Sequence, residues 1–239
     1  MAGSVGGPAY LALDIQEPLM NQQEESAEEN ILQLIAMPQN CDAFANLAEA
    51  GIDQLLQDGF LRDVPVLGSM IGVIRAAGGI RNLLLTKKLG QFLRSIQSIP
   101  LEDRQRYCET LRDRSERQRQ GEALLLLLDR LDDMEKPELV GKAFRAFVLG
   151  EIDSRQFRSL SSAIDRLPIQ HLPDLISFYA DTRNPRQIDN DVAQALSYAG
   201  LVRPAISTGV IIGDISTSSM YYDASALGEL FVRIVSSDV

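Results

Sequence analysis

Three aspartates in the middle of the chain have a spacing that could support chemistry. Asp129, Asp132 and Asp133 stand at i, i+3 and i+4, so a helix would place their carboxylates on one face. Such a cluster suits a divalent metal ion or a general acid–base pair, as in a hydrolase or nuclease. Basic residues flank the cluster, however, and its tripeptide Asp-Arg-Leu recurs at 165–167. This pattern favours surface ion pairing over a catalytic site.

Other signatures of catalysis are missing from the sequence. The serines at 159, 161 and 162 lie near His171, the single histidine, but no G-x-S-x-G elbow surrounds them. There is no P-loop and no G-x-G-x-x-G fingerprint, and one histidine disfavours a His-based metal site. Cys41 and Cys108 lack metal-ligand spacing, so we expect two reduced thiols half-buried in helices. The sequence therefore favours a non-enzymatic protein without cofactor or metal.

The most informative feature is residues 64–96, here called the basic stretch. It contains no acidic residue, in a chain whose formal net charge is −10. Its cations are Arg75, Arg81, Lys87, Lys88 and Arg94. Every charged residue before Arg62 is acidic, so charge is sorted along the chain rather than mixed. A binding surface is expected where such sorting occurs.

Small residues also mark the basic stretch. Gly68, Gly72 and Ala76 recur every four residues, a pattern that allows close helix packing, and Gly78 and Gly79 predict a hinge. One interpretation is a core helical hairpin whose cations face water or the acidic N-terminal helices. The other is an amphipathic hairpin that contacts anionic lipid or the acidic surface of a partner protein. On lipid, five cations at about 1 kcal/mol each would contribute roughly 5 kcal/mol. In this second interpretation, residues 1–61 mask the hairpin until they are displaced.

Bulk properties narrow the function classes. A chain of 239 residues forms one large domain or two small ones. A pI near 4.7 argues against general nucleic-acid binding. The N-terminus lacks the charged region of a signal peptide, and no run approaches the ~18 to 20 apolar residues of a membrane span. These features predict a cytoplasmic protein, peripheral at the inner membrane if the basic stretch binds lipid. They leave the oligomeric state open, a homo-oligomer included.

Hydrophobic periodicity predicts a mainly helical chain. Residues 1–22 are expected to form a flexible tail. Helices are predicted over 24–37, 40–58, 81–93, 102–120, 137–149, 153–167, 172–181, 189–199 and a closing segment that contains Leu227 and Ile234. Because residues 123–128 (ALLLLL) are apolar on every side, we expect them to be buried all round as the hub of the core. Two β-prone runs, 206–212 and 220–222, predict a hairpin.

The C-terminal part resembles a known superfamily. Leu196-Ser-Tyr-Ala-Gly-Leu201 and Tyr222-Asp-Ala-Ser-Ala-Leu-Gly-Glu-Leu-Phe231 are similar to the L-x-x-x-G-L and Y-x-x-[TS]-x-x-G-x-x-F patterns of winged-helix modules. The resemblance covers less than a third of the chain and implies DNA binding by the second helix of the pair. That helix carries two acidic residues and no base, which argues for a protein-contact or packing role instead.

Together these features predict a multi-helix domain over 23–168 followed by a small winged-helix-like α+β domain over 169–239. The whole arrangement resembles uncharacterised bacterial proteins, some of them suspected in defence against phage. The predicted function is that of a non-enzymatic effector or adaptor that engages anionic membrane or a partner protein through the basic stretch. A winged-helix transcriptional regulator that binds DNA is the alternative.

Overall fold

A computed structural model of the protein describes residues 27–36, 49, 80–181, 188–205 and 221–236. Several predicted features lie outside this part of the chain. They are the tail over 1–22, the helix over 40–58, the hairpin runs at 206–212 and 220, and the residues Cys41, Gly68, Gly72, Arg75, Ala76, Gly78 and Gly79.

The described residues form nine α-helices and a two-stranded sheet, which confirms a mainly helical fold. The helices are α1 (Ala27–Ala36), α2 (Ile80–Ser95), α3 (Leu101–Thr110), α4 (Arg114–Arg130), α5 (Lys136–Val148), α6 (Ser154–Arg166), α7 (Leu172–Ala180), α8 (Asn190–Tyr198) and α9 (Ala226–Val235). Short 3₁₀ turns follow α2 (Ile96–Ser98) and precede α7 (Ile169–His171). Strands β1 (Val202–Pro204) and β2 (Tyr222–Ala224) pair antiparallel, with Arg203 opposite Asp223.

Capping side chains explain the starts of four helices, α4, α6, α8 and α9. Asp153 accepts a hydrogen bond from the N–H of Gln156, whose side chain accepts one from the N–H of Asp153, which closes a capping box at α6. Asp189 caps α8 by accepting hydrogen bonds from the N–H groups of Asp191 and Val192. The prediction of a single helix over the charged segment 102–120 is wrong. It breaks between Thr110 and Arg114, because Asp113 adopts an extended conformation and caps α4.

The core lies where α2 and α5 cross and extends over α4 and α6. Helix α1 packs on α3 and α4, and Ile31, Leu34 and Ile35 are completely buried on its apolar face. An aromatic cluster fills the space between α2, α3, α5 and α6, with ring centroids 5.3–6.3 Å apart; its members are Phe92, Tyr107, Phe144, Phe147 and Phe157. These contacts fix α2 and α5 as one rigid pair.

The expected all-round burial of residues 123–128 is wrong. Leu124 and Leu128 are buried, but Leu126 is 57% exposed. Helix α4 packs against α1, α2 and α6, and these neighbours leave part of its circumference uncovered. Two residues along a helix turn the side chain by about 200°, so Leu126 points away from the side that Leu124 and Leu128 bury.

The C-terminal elements join the same core. Helix α9 packs on α5, α6 and α7, and Phe231 and Ile234 are buried among their apolar residues. The order of two helices, two antiparallel strands and a helix agrees with the sequence, although β1 lies before the predicted run 206–212. The winged-helix identity of this part and the domain boundary after residue 168 stay predictions.

Candidate binding cleft

The described cations of the basic stretch have different environments. The backbone of Arg81 lies in the first turn of α2. Lys87 is half-buried, and Arg94 is exposed. Lys88 is only 9% exposed, and its Nζ donates to the carbonyl oxygens of Asp129, at 3.1 Å, and Leu131. Lys88 therefore holds the C-terminal end of α4, where the helix dipole favours a positive charge.

The apolar side of the basic stretch is part of the core over its described length. Leu89, Phe92, Leu93 and Ile96 are each at most 1% exposed. The apolar side of α2 thus packs in the core at its described side chains, whereas the hairpin of the first interpretation extends beyond the described residues and stays a prediction. The polar side of α2 and its 3₁₀ turn faces the surface at the end that carries Arg94.

Arg94 links the basic stretch to the acidic N-terminal segment. Its Nη1 donates to Glu49 Oε1 at 2.9 Å, and both side chains are exposed. An exposed ion pair of this kind contributes about 0–1 kcal/mol, so it can exchange for another acidic contact at little cost. Both interpretations of the basic stretch expect such a contact with the acidic N-terminal segment.

Arg94 also lines a cleft of about 500 Å³ between α2 with its 3₁₀ turn, α5 and α9. The described residues that line it are Gln91, Arg94, Ser95, Ser98, Met134, Glu135, Glu138, Lys142, Arg145, Ala146, Glu151 and Ile234. Volumes of this size are typical of ligand sites in proteins. We refer to this space as the cleft.

The walls of the cleft carry both signs of charge, held in loose pairs. Lys142 Nζ lies 3.6 Å from Glu138 Oε1, and Arg145 Nη1 lies 3.7 Å from Glu151 Oε1. Both distances exceed the ~2.7–2.9 Å of a strong charge-assisted hydrogen bond. Lys142 also donates to the carbonyl oxygen of Val235 at 3.3 Å, which ties α5 to the end of α9. The cations of the cleft therefore keep hydrogen-bonding capacity for a ligand.

Two buried polar atoms in the cleft residues have no hydrogen-bond partner among the described residues. They are the acceptor Gln91 Oε1, on α2, and the donor Arg145 Nε, on α5. A buried polar group left unsatisfied costs roughly 1–3 kcal/mol, so most such groups in native proteins are paired. Both atoms have almost no accessible surface, so a group bound in the cleft does not reach either of them unless neighbouring side chains move.

A close contact between α2 and α5 shapes the wall of the cleft. A Cβ at Gly141 would lie 1.6 Å from Ser95 Oγ and 2.7 Å from Ser95 Cβ. Ser95 is held in place because its hydroxyl donates to the carbonyl oxygen of Phe92 at 2.7 Å. Glycine at position 141 thus lets the two helices approach closely beside the cleft.

One aspartate of the cluster, Asp132, forms an ion pair, and the pairing expected of Asp129 and Asp133 stays a prediction. Arg130 Nη2 lies 3.0 Å from Asp165 Oδ2, so the two Asp-Arg-Leu segments contact each other. Lys136 is 1% exposed, pairs with Asp132 and donates to the carbonyl oxygen of Asp165 at 2.9 Å. The hydrogen bond from Lys136 is the main reason why the pKa of Asp132 lies below its usual range. Among the described side chains, no group of three or more His, Cys, Asp or Glu is placed to hold a metal ion.

The residues of the winged-helix pattern have packing roles in the structure. Tyr222 and Phe231 are buried, and Ser225 caps α9 while its hydroxyl donates to the carbonyl oxygen of Gly200 at 2.8 Å. Gly200 has φ of +80°, which favours glycine at this helix end. His171 ends the 3₁₀ turn before α7, with Nδ1 3.3 Å from Asp174 Oδ2. These contacts show packing and capping by the pattern residues, whereas the protein-contact or packing role expected of α8 stays a prediction.

Three residues of the cleft had no signal in the sequence. Gln91, Lys142 and Arg145 belong to α2 and α5, which lie 40 residues apart or more, and no spacing rule joins them. Only Arg94 was a predicted site residue, because of its place in the basic stretch. The charge asymmetry of the sequence therefore predicted one residue at the edge of the cleft and none of the residues that line its interior.

No protein-family model matches the sequence, and none of the curated proteins or solved structures compared with it is significantly similar. Among the described residues, none of the helices combines the length and the apolar character that crossing a membrane requires.

Proposed function

We propose that the protein is a non-enzymatic adaptor that binds a partner protein through the cleft and its cationic edge. The observation that carries this proposal is the coincidence of Arg94, the exposed end of the basic stretch, with a cleft of about 500 Å³ whose other cations are held in loose ion pairs. Lys142 and Arg145 add two further cations from α5. An acidic side chain of a partner would compete for these cations with the carboxylates that now pair with them, Glu49, Glu138 and Glu151.

The burial of α2 favours a protein partner over a lipid surface. An amphipathic helix binds a bilayer by inserting its apolar side among the acyl chains. In α2 that side is occupied by the core through Leu89, Phe92 and Leu93. Lys88 is likewise engaged with α4. Among the described cations of the stretch, Lys87 and Arg94 remain for lipid, at about 1 kcal/mol each.

The Glu49 contact suggests how access to the cleft is controlled. Glu49 holds Arg94 at the edge of the cleft through an exposed, weak ion pair. A partner's acidic residue would compete for the same guanidinium. The N-terminal segment would then act as a low-affinity cover that a cognate partner displaces.

Vesicle flotation separates the two classes of partner. The full-length protein is mixed at low salt with vesicles of phosphatidylcholine alone or with added phosphatidylglycerol, and the floated fraction is measured. We expect equal and negligible flotation with both compositions. Flotation that requires phosphatidylglycerol and is lost in a Lys87→Glu/Arg94→Glu variant would overturn the proposal in favour of a membrane-binding protein. An Arg155→Glu/Arg158→Glu variant on the exposed side of α6 is the control for net charge.

A further inference from the structure

We infer that the segment of the partner that enters the cleft carries charges of both signs, one acidic and one basic side chain about 10 Å apart. The inference rests on the proposed function and specifies the chemistry of the partner at that site. It starts from the distribution of charge along α5, which forms one wall of the cleft.

The charges on the described lining of the cleft balance. Three of the lining side chains are cationic, and three are acidic. The cations are Arg94, Lys142 and Arg145, and the acids are Glu135, Glu138 and Glu151. A segment that carries only acidic residues would therefore meet repulsion as well as attraction, which lowers its affinity relative to a segment of complementary charge.

Along α5 the two signs of charge are separated. Glu135 precedes the helix and Glu138 lies in its first turn, whereas Lys142 and Arg145 lie in its C-terminal half. Their spacing of three, four and three residues places them on one side of the helix, and all four line the cleft. The dipole of α5 favours this order of charges. We refer to Glu135 and Glu138 as the acidic pole of the cleft, and to Lys142 and Arg145 as its basic pole.

The ion pair between the two poles decides what a ligand must supply. Lys142 Nζ lies 3.6 Å from Glu138 Oε1, and the Glu138 side chain is 61% exposed. A ligand carboxylate that pairs with Lys142 would displace Glu138 and leave its carboxylate beside a second negative charge. A basic side chain of the same ligand would give Glu138 a new counter-charge. A segment with both signs of charge therefore leaves fewer charges unpaired than a purely acidic one.

Helix geometry sets the spacing of the two charges in the ligand. Glu138 and Lys142 are about 6 Å apart along the helix axis, and Glu135 and Arg145 are about 15 Å apart. An extended peptide rises about 3.3 Å per residue, so charges about three residues apart span the poles. The cleft of about 500 Å³ has room for a segment of this length.

NMR titration of the full-length, ¹⁵N-labelled protein with defined peptides tests the inference. The probes are four N-acetylated, C-terminally amidated hexapeptides of alanine and serine. Their second and fifth residues are Lys and Glu, Glu and Lys, two Glu, or two Lys. Binding is followed from the backbone amide signals of Lys142, Arg145 and Ala146. We expect a mixed-charge peptide to bind about fivefold more tightly than the di-Glu and di-Lys peptides, the effect of two exposed ion pairs.

A Glu138→Lys variant tests the acidic pole. Because it replaces a carboxylate by a cation, the preference should change from a mixed-charge peptide to the di-Glu peptide. Glu122→Lys, on the exposed side of α4, changes the net charge equally and is the matched control with an unchanged preference. If Glu138→Lys does not fold, Glu138→Gln should abolish the preference for the mixed-charge peptides.

Three results would overturn the inference: equal affinity of the wild type for the mixed-charge and di-Glu peptides, no binding of any peptide at millimolar concentration, or an unchanged preference in the Glu138 variants. The adaptor function would survive these results if cellular cross-linking still depended on the cations of the cleft. If a mixed-charge peptide bound as expected but no cellular adduct formed, the adaptor function would fail alone.

Discussion

Gly141 of α5 lies so close to Ser95 of α2 that a methyl group at position 141 would come within 1.6 Å of the Ser95 hydroxyl oxygen. Ser95 lines the cleft, and Phe92, three residues earlier, lies at the centre of the core. The spacing of α2 and α5 therefore sets both the packing of the core and the shape of the cleft.

The first prediction concerns this contact. Gly141→Ala is expected to lower the free energy of unfolding by about 1–3 kcal/mol, because the added methyl group meets the Oγ and Cβ of Ser95. Urea unfolding followed by circular dichroism measures the change. Ser95→Gly removes both atoms, so the double variant should be more stable than Gly141→Ala alone. A Gly141→Ala protein as stable as the wild type would show that the helices are not in close contact.

The second prediction concerns the anchor of the C-terminal elements. The Tyr179 hydroxyl donates to the carbonyl oxygen of Leu201 at 2.6 Å and accepts from the N–H of Ser225 at 3.0 Å. Tyr179→Phe leaves both groups unpaired, so we expect a loss of roughly 1–3 kcal/mol in thermal or urea unfolding. Ala226→Ser, on the exposed side of α9, is the control and should be close to neutral.

Gly228 gives a third prediction at the same place. A Cβ there would lie 1.9 Å from the Tyr179 hydroxyl and 2.0 Å from the carbonyl oxygen of Leu201. Gly228→Ala should therefore disrupt the packing of α9 on α7, seen as lost amide protection in hydrogen exchange. Because the carbonyl oxygen of Leu201 belongs to the backbone, removing the Tyr179 hydroxyl in a Tyr179→Phe variant should not restore the packing of Gly228→Ala. Recovery of wild-type protection in the Gly228→Ala/Tyr179→Phe variant would contradict this geometry.

The fourth prediction concerns Lys136 and pH. Lys136→Met keeps most of the side-chain volume but removes the hydrogen bond to the carbonyl oxygen of Asp165, so stability at pH 7 should fall by about 1.5–3 kcal/mol. The pKa of Asp132 is lowered in the folded protein, so its stabilising contact with Lys136 is present above an unfolded pKa of about 3.9 and is lost as the pH falls further. The difference between wild type and variant should shrink below about pH 4. If the stability difference between the wild type and Lys136→Met did not depend on pH, Asp132 would not contribute to it. Arg158→Met, on an exposed face of α6, is the control.

The fifth prediction concerns the reactivity of Cys108. Burial raises the pKa of its thiol to about 11, and the thiol lies 3.4 Å from the carbonyl oxygen of Leu32. In a Cys41→Ser background, the rate of alkylation by iodoacetamide should rise with pH towards a midpoint near 11. In urea the midpoint should return to about 8.5. Because the Cys108 thiol keeps its proton to a higher pH in the folded state than in the unfolded state, the free energy of unfolding should fall as the pH rises from about 8.5 to about 11. A midpoint near 8.5 in the folded protein would contradict the burial of the thiol.

Helix positions could be predicted from the sequence where local chemistry decides them. Asp153 and Asp189 cap helices because their side chains satisfy N–H groups a few residues away, and such contacts are visible in the sequence. The burial of residues 123–128 could not be predicted in this way. Leu126 is exposed because of where the neighbours of α4 lie, which local composition does not determine.

The candidate site shows the same limit. The charge of the basic stretch marked Arg94 as a site residue, but it marked Lys88 as well. The ammonium group of Lys88 donates instead to the carbonyl oxygens of Asp129 and Leu131, 41 and 43 residues later in the chain, at the end of α4. The orphaned atoms of Gln91 and Arg145 become visible only when α2 and α5 are packed together. Buried polar atoms without partners depend on tertiary contacts, so no sequence pattern predicts them.

The most direct test of the adaptor function is photo-cross-linking from the cleft in cells that naturally express the protein. Glu135, on the exposed edge of the cleft, is replaced by p-benzoylphenylalanine, and adducts are compared among three backgrounds at equal protein level. We expect a discrete protein adduct in the wild type and in the Arg155→Glu/Arg158→Glu control, and its loss in Arg94→Glu/Lys142→Glu. An adduct pattern that stays the same when the cations of the cleft are reversed would contradict the adaptor function.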